Sequence, residues 1–172
     1  MKEATSRRRR FLSIAGAAVA LAPAYAWLGR AGAADIAMTD KTFPIDKPDS
    51  EWQDTLSPEQ YRVLREHGTE RAFGSSLNAE KRTGTFKCAG CDQPLFSSDT
   101  KFESGTGWPS FWQPIDGAVG TSKDRSWFMV RTEVHCARCG GHLGHVFDDG
   151  PRPTGQRFCM NGAAMTFTPL EK

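Results

Sequence analysis

Three patterns of apolar and polar positions succeed one another along the chain. From residue 11 to about 28, apolar and alanine positions run together without a period, directly after Arg7-Arg8-Arg9-Arg10. From 35 to about 49 the chain turns polar, carries two prolines and shows no period, which predicts a linker up to residue 51. Beyond Trp52, short apolar runs alternate with turn residues, the spacing of β-strands joined by tight connections. The predicted strands cover 83–87, 94–97, 126–134, 142–147, 156–161 and 165–169. Within 126–134, Phe128, Val130, Thr132 and Val134 alternate with Met129, Arg131 and Glu133, the period of a strand buried on one face.

One helix is predicted. Ser57-Pro58-Glu59-Gln60 has a serine cap, a proline in the first turn and a glutamine three residues after the cap. Tyr61 and Leu64 share a face, and Gly68 is the predicted stop. The expectation is therefore a mainly β, antiparallel domain over 52–172 with a short N-terminal helix. Seventeen Gly and ten Pro agree with many turns. The net charge of +2 comes largely from the arginine run, so the folded part is nearly neutral. Nothing in it calls for nucleic acid, and a monomer is expected.

Residues 1–34 read as an address rather than as fold. Arg8-Arg9-Arg10-Phe11-Leu12 resembles a twin-arginine signal, followed by two A-x-A cleavage candidates, Ala24-Tyr25-Ala26 and Ala31-Gly32-Ala33. This predicts export to a bacterial periplasm or cell exterior. An uncleaved leader would act as an anchor, and a basic tail beside a core helix is the plainer alternative.

Chemistry enters with five cysteines. Cys88-Ala89-Gly90-Cys91 and Cys136-Ala137-Arg138-Cys139 are two CxxC pairs separated by the 44 residues 92–135. Each pair places two thiolates on one side of a knuckle, and two knuckles supply the tetrahedral set that Zn2+ prefers. Four thiolates leave no open position, so such a zinc is structural and ties distant segments together. A thioredoxin-type redox pair and two disulfides are the competing readings of the same thiols.

Cys159 is left over. On an extended strand Arg157 and Asn161 share its face while Phe158 and Met160 point away. A nearby guanidinium favours the thiolate, the nucleophilic form; a small buried core cysteine is the plain alternative. His142 and His145 are three apart and not needed by the metal, which makes an acid–base role reasonable. Trp108, between Gly107 and Pro109 in a glycine-hinged loop, is placed to line an open pocket and contact a small apolar group.

From about Trp52 to Leu170 the chain resembles the B-type methionine sulfoxide reductases, which act on the R epimer. The resemblance runs through YRVLREHGTE (61–70), FKCAGC (86–91), PLF (94–96), KFESGTGWPSF (101–111), HCARCGGHLGHVFDDGP (135–151) and RPTGQRFCMNG (152–162). It implies a β-tent fold with Cys88, Cys91, Cys136 and Cys139 as zinc ligands. It also implies Cys159 as nucleophile, His145, His142 and Asn161 as active-site polar groups, and Trp108 as the wall for the substrate methyl. Phe111 or Phe158 is expected to help hold that methyl, and Arg157 is a further substrate-binding candidate. Oxidised proteins or peptides would be the substrate, a thioredoxin-like or other thiol the reductant, and protein repair under oxidative stress the role. Where many members carry a second, resolving cysteine, this chain has Thr106, which implies a one-cysteine kind recycled by an external thiol. A zinc-held binding module, with Trp108 in a ligand cage and Cys159 incidental, is the alternative from another class.

Overall fold

The computed structural model describes residues 42–126 and 129–171. The leader expected over 1–34 lies outside the described residues. Among those described, no helix is long and apolar enough to cross a membrane.

Two short helices open the domain, where one was predicted. Helix α1, Asp49–Thr55, forms in what reads as linker, and it buries Trp52 beneath the cations of Lys47 and Arg65. One indole supplies the whole apolar face, so no 3.6-residue period exists to be read. Helix α2, Pro58–Leu64, begins as predicted: Gln60 N–H donates to Ser57 Oγ at 3.2 Å, and Ser57 N–H donates to Gln60 Oε1 at 2.9 Å. It ends at Leu64, before Gly68. Gly68 instead closes the following turn through its N–H to Arg62 O at 2.9 Å, where a Cβ would meet that oxygen at 2.7 Å.

Among the described residues nine strands follow: β1 (Gly84–Cys88), β2 (Pro94–Ser97), β3 (Lys101–Phe102), β4 (Ser110–Phe111), β5 (Val119–Asp124), β6 (Arg131–Cys136), β7 (His142–Phe147), β8 (Arg157–Met160) and β9 (Met165–Pro169). They form two antiparallel sheets, β2-β1-β9 and β3-β4-β8-β7-β6-β5. The fold is mainly β, as the sequence predicts.

Among the described residues of the run predicted over 126–134, strand begins at Arg131. Asp124 pairs with Arg131 across a hairpin, Ser126 N–H donates to Asp124 Oδ1 and Met129 N–H to Ser126 O. Met129 and Val130 are consequently exposed rather than alternating into a core. Phe128 lies outside the described residues.

Aromatic rings join the two sheets. Phe86 and Phe96 of the first meet Phe111 and Phe158 of the second, with Phe96 stacked on Phe111 at 4.3 Å and Phe86 edge-on to it at 4.9 Å. On β8 the side chains alternate: Phe158 and Met160 are buried in this core, while Arg157 and Cys159 lie on the other face. The opposite face of the six-stranded sheet is therefore the one that carries polar chemistry.

Candidate active site

Register brings that chemistry into one row. Ser110 on β4 pairs with Cys159 on β8, Cys159 with His145 on β7, His145 with Glu133 on β6, and Glu133 with Ser122 on β5. Paired residues of neighbouring strands project on the same side at about 4.5–5.5 Å between Cβ atoms. Two residues along each strand, a second row carries Asp124 beside Arg131 and Phe147 beside Arg157. Gly144 lets β7 and β8 approach closely here, since a Cβ would lie 2.1 Å from Cys159 O.

Cys159 opens into a hollow of about 120 Å³ that Thr69, Trp108, Arg131, His145, Phe147 and Asn161 also line. The glycine-hinged loop closes one side. Thr106 Oγ1 lies 3.8 Å from Cys159 Sγ, 2.8 Å from Ser104 Oγ, and Ser104 Oγ is 2.7 Å from Ser110 Oγ. Trp108 is fixed by its Nε1–H donating to Glu70 O at 3.3 Å. Glu70 is 5% exposed, and its carboxylate accepts from Gly162 N–H and Ala163 N–H, both at 2.7 Å.

Each histidine of the site is held by a carboxylate. His145 Nε2 is 2.8 Å from Asp124 Oδ2, and His142 Nδ1 is 2.7 Å from Glu133 Oε1. Arg131 Nη2 completes the first pair by donating to Asp124 Oδ2 at 2.7 Å. Burial lowers the pKa of His145, outweighing the hydrogen bond to Asp124. Asp124 stays far below the usual carboxylate range, held by Ser126, His145 and Arg131. Burial also pushes Glu133 up, but hydrogen bonds from His142, His67 and Ser122 outweigh it and hold the group well down.

The nucleophile candidate differs from expectation in one respect. Arg157 and the Thr106 hydroxyl do favour the Cys159 thiolate, yet burial dominates and pushes the thiol above its ordinary value. Arg157 is itself spent on Asp149, donating at 2.8 and 2.9 Å, and it lies over the Phe147 ring at 4.5 Å.

Not every predicted residue reaches the hollow. Phe111 is 0% exposed. It pairs with Phe158 on the core face of the sheet, so neither ring is a wall of the site. His142 stands one step back, edge-on to His145 with ring centroids 5.4 Å apart. Asn161 lines the hollow, but both ends of its amide serve the backbone: Oδ1 accepts from Glu70 N–H at 2.9 Å and Nδ2 donates to Leu143 O at 3.0 Å. Asp124, Glu133, Arg131, Glu70 and His67 escaped sequence reasoning. The only signal was the polar phase of the alternation on β6, which carries Arg131 and Glu133.

The four remaining thiols converge elsewhere. Cys88 Sγ is 3.7 Å from Cys139 Sγ and Cys91 Sγ is 3.6 Å from Cys136 Sγ, with all four within 4.8 Å of one another. Zinc–sulfur bonds of about 2.3 Å give a tetrahedron with edges of about 3.8 Å, so the cluster is compatible with a structural zinc. The two knuckles fold alike. Asp92 N–H closes on Cys88 O and Gly140 N–H on Cys136 O, both at 2.9 Å, with Asp92 and Gly140 in the left-handed region. One knuckle ends a strand of the three-stranded sheet and the other a strand of the six-stranded sheet, so a shared ion would fasten the two.

Comparison with known proteins fits this geometry. The SelR domain matches residues 56–169. The peptide methionine sulfoxide reductase MsrB of Agrobacterium fabrum is 54% identical over 135 residues, covering 77% of this chain and all of that one. Those of Leptospira interrogans and Pseudomonas putida are each 56% identical, over 126 and 128 residues, covering 73% and 74% of this chain and 96% of their own.

Proposed function

The chain belongs to the SelR-domain family of B-type peptide methionine sulfoxide reductases, oxidoreductases that reduce methionine sulfoxide, and on that premise we propose that Cys159 removes the oxygen of the R epimer in oxidised proteins. The observation that carries this reading is the pairing of Cys159 and His145 side by side in one small hollow walled by Trp108.

The proton balance follows from the electrostatics. Burial keeps Cys159 as a thiol and His145 neutral, so the resting site holds the one proton that the reaction needs. The substrate methyl packs on Trp108 and the sulfoxide oxygen faces the imidazole. The thiol proton passes to that oxygen through His145, and the sulfur of Cys159 attacks the sulfoxide sulfur. The attack joins the two sulfurs; the hydroxyl then moves to Cys159, the S–S bond and the substrate S–O bond both breaking as the S–O bond to Cys159 forms, which releases methionine and leaves Cys159 as a sulfenic acid. Substrate sulfur is reduced by two electrons and Cys159 oxidised by two. Asp124 positions His145, the Glu133–His142 pair buttresses it, and Asn161 holds the strand end rather than the oxygen.

With Thr106 where a resolving thiol would stand, an external dithiol reduces the sulfenic acid. Cys88, Cys91, Cys136 and Cys139 would hold a structural Zn2+, which supplies cross-linking and no step of the reaction. The arginine-rich leader supports export of the chain with its metal already loaded.

Turnover of peptides carrying separated R and S sulfoxides, with and without a dithiol, tests the reading. Reduction of R alone is the expected result. Reduction of S alone would overturn it.

A further inference from the structure

Glu133 accepts two imidazoles on one oxygen. Its Oε1 lies 2.7 Å from His142 Nδ1 and 2.9 Å from His67 Nδ1, while Oε2 accepts the Ser122 hydroxyl. The three potential ligand atoms lie within 4.8 Å of one another. His142 and Glu133 sit on adjacent strands and are largely buried, whereas the His67 side chain is 66% exposed. His67 comes from the turn after α2, in the left-handed region at φ 54°, which brings its ring to 5.2 Å from that of His142.

All three line a cavity of about 540 Å³ that adjoins the Cys159 hollow through Thr69, Arg131 and His145. Among the described residues no protein group takes His142 Nε2.

We infer that His67, Glu133 and His142 form a second metal site, separate from the four thiols, for a borderline divalent transition ion. Two imidazole nitrogens with one carboxylate oxygen suit zinc, cobalt, nickel or copper, and are poor ligands for calcium or magnesium. Ligands about 2.0–2.1 Å from a metal at the right angles of octahedral coordination stand about 2.8–3.0 Å apart, close to the two separations here, whereas tetrahedral coordination would spread them to about 3.3–3.4 Å. On binding, each imidazole carries its proton on Nε2 and offers Nδ1 to the cation, and the cavity leaves the cation's other positions open to water. An ion there withdraws Glu133 and His142 from the support of His145, so it inhibits reversibly. The inhibition rests on the function proposed above, but the binding does not.

Cobalt(II) added to zinc-loaded Cys159→Ser protein without an affinity tag tests the site, since that variant removes the one other free thiol. The expected result is a second ion per chain with weak visible bands and no sulfur charge-transfer absorption. In the same background His67→Ala, at an exposed position, should weaken binding of that ion at least tenfold with the zinc content unchanged. No second ion, binding indifferent to His67→Ala, or sulfur charge-transfer bands would each overturn the site. With Cys159 restored, binding that left single-turnover methionine release unchanged would keep the site and refute the role given to Glu133 and His142.

Discussion

Glu70 is the residue on which the hollow turns, although it touches no substrate. Its carboxylate accepts two backbone N–H groups beyond Asn161, its own N–H donates to the Asn161 amide, and its carbonyl holds the Trp108 indole. Glu70→Ala removes the first two bonds and leaves two amides, at buried Gly162 and half-buried Ala163, without their acceptor. Hydrogen bonds to a charged group contribute about 1.5–3 kcal/mol each. Burial raises the Glu70 pKa, so removing the buried carboxylate returns part of that sum. The net expectation is a loss of about 2–4 kcal/mol. For a domain of this size that is a fall in Tm of roughly 8–16 °C. The backbone N–H and carbonyl that hold Asn161 and Trp108 remain in the variant, so KM for a sulfoxide peptide should rise only as far as the loosened 162–163 backbone shifts those two side chains. Glu70→Gln, which keeps an acceptor oxygen, should recover about half of the lost stability. Calorimetry with steady-state kinetics on both variants is the assay. A Tm of Glu70→Ala within about 2 °C of the parent would refute the clamp.

Three further outcomes follow from the same geometry. Cys88→Ser should release zinc and lower stability together, read by metal content and thermal melting, because the thiol cluster fastens one sheet to the other; zinc retained at full stoichiometry would contradict that role. Thr106→Cys should place a thiol where a hydroxyl now lies 3.8 Å from Cys159 Sγ. After one turnover, mass spectrometry should find an intramolecular disulfide in place of the sulfenic acid. The single-turnover rate should be level between the lowered His145 pKa, below 6.5, and the raised Cys159 pKa, above 9.0. It should fall on the acid side, where the imidazolium cannot take the thiol proton, and on the alkaline side, where that proton is lost. A rate that climbed steadily from pH 6.5 to 9.0 would show that a pre-formed thiolate carries the reaction.

The sequence made some of this architecture legible and concealed the rest, for physical reasons. Strands β2, β7 and β9 stand over their predicted ranges, and the capping box of α2 is where Ser57 and Gln60 placed it. Strands β3 and β4 are two residues each, too short to carry a period, and β5 is polar because part of it borders the larger cavity. Alternation on β8 assigned Cys159 and Arg157 to one face and Phe158 to the other. The same logic would have placed Phe111 in the core, had its partnership with Phe158 been known. Asp124 and Glu133 could not be found, because carboxylates beside histidines arise from register between strands and leave no local spacing. The balance at Cys159 was misjudged for a related reason: a neighbouring arginine is visible in sequence, whereas burial is not.

Everything in the proposed mechanism depends on one sulfur taking one oxygen. Enzyme freed of reductant and mixed with excess R-sulfoxide peptide should release one methionine per chain, and mass spectrometry should find a single added oxygen on Cys159. Methionine release that persists in Cys159→Ser, or oxygen found instead on a thiol of the metal cluster, would contradict the account.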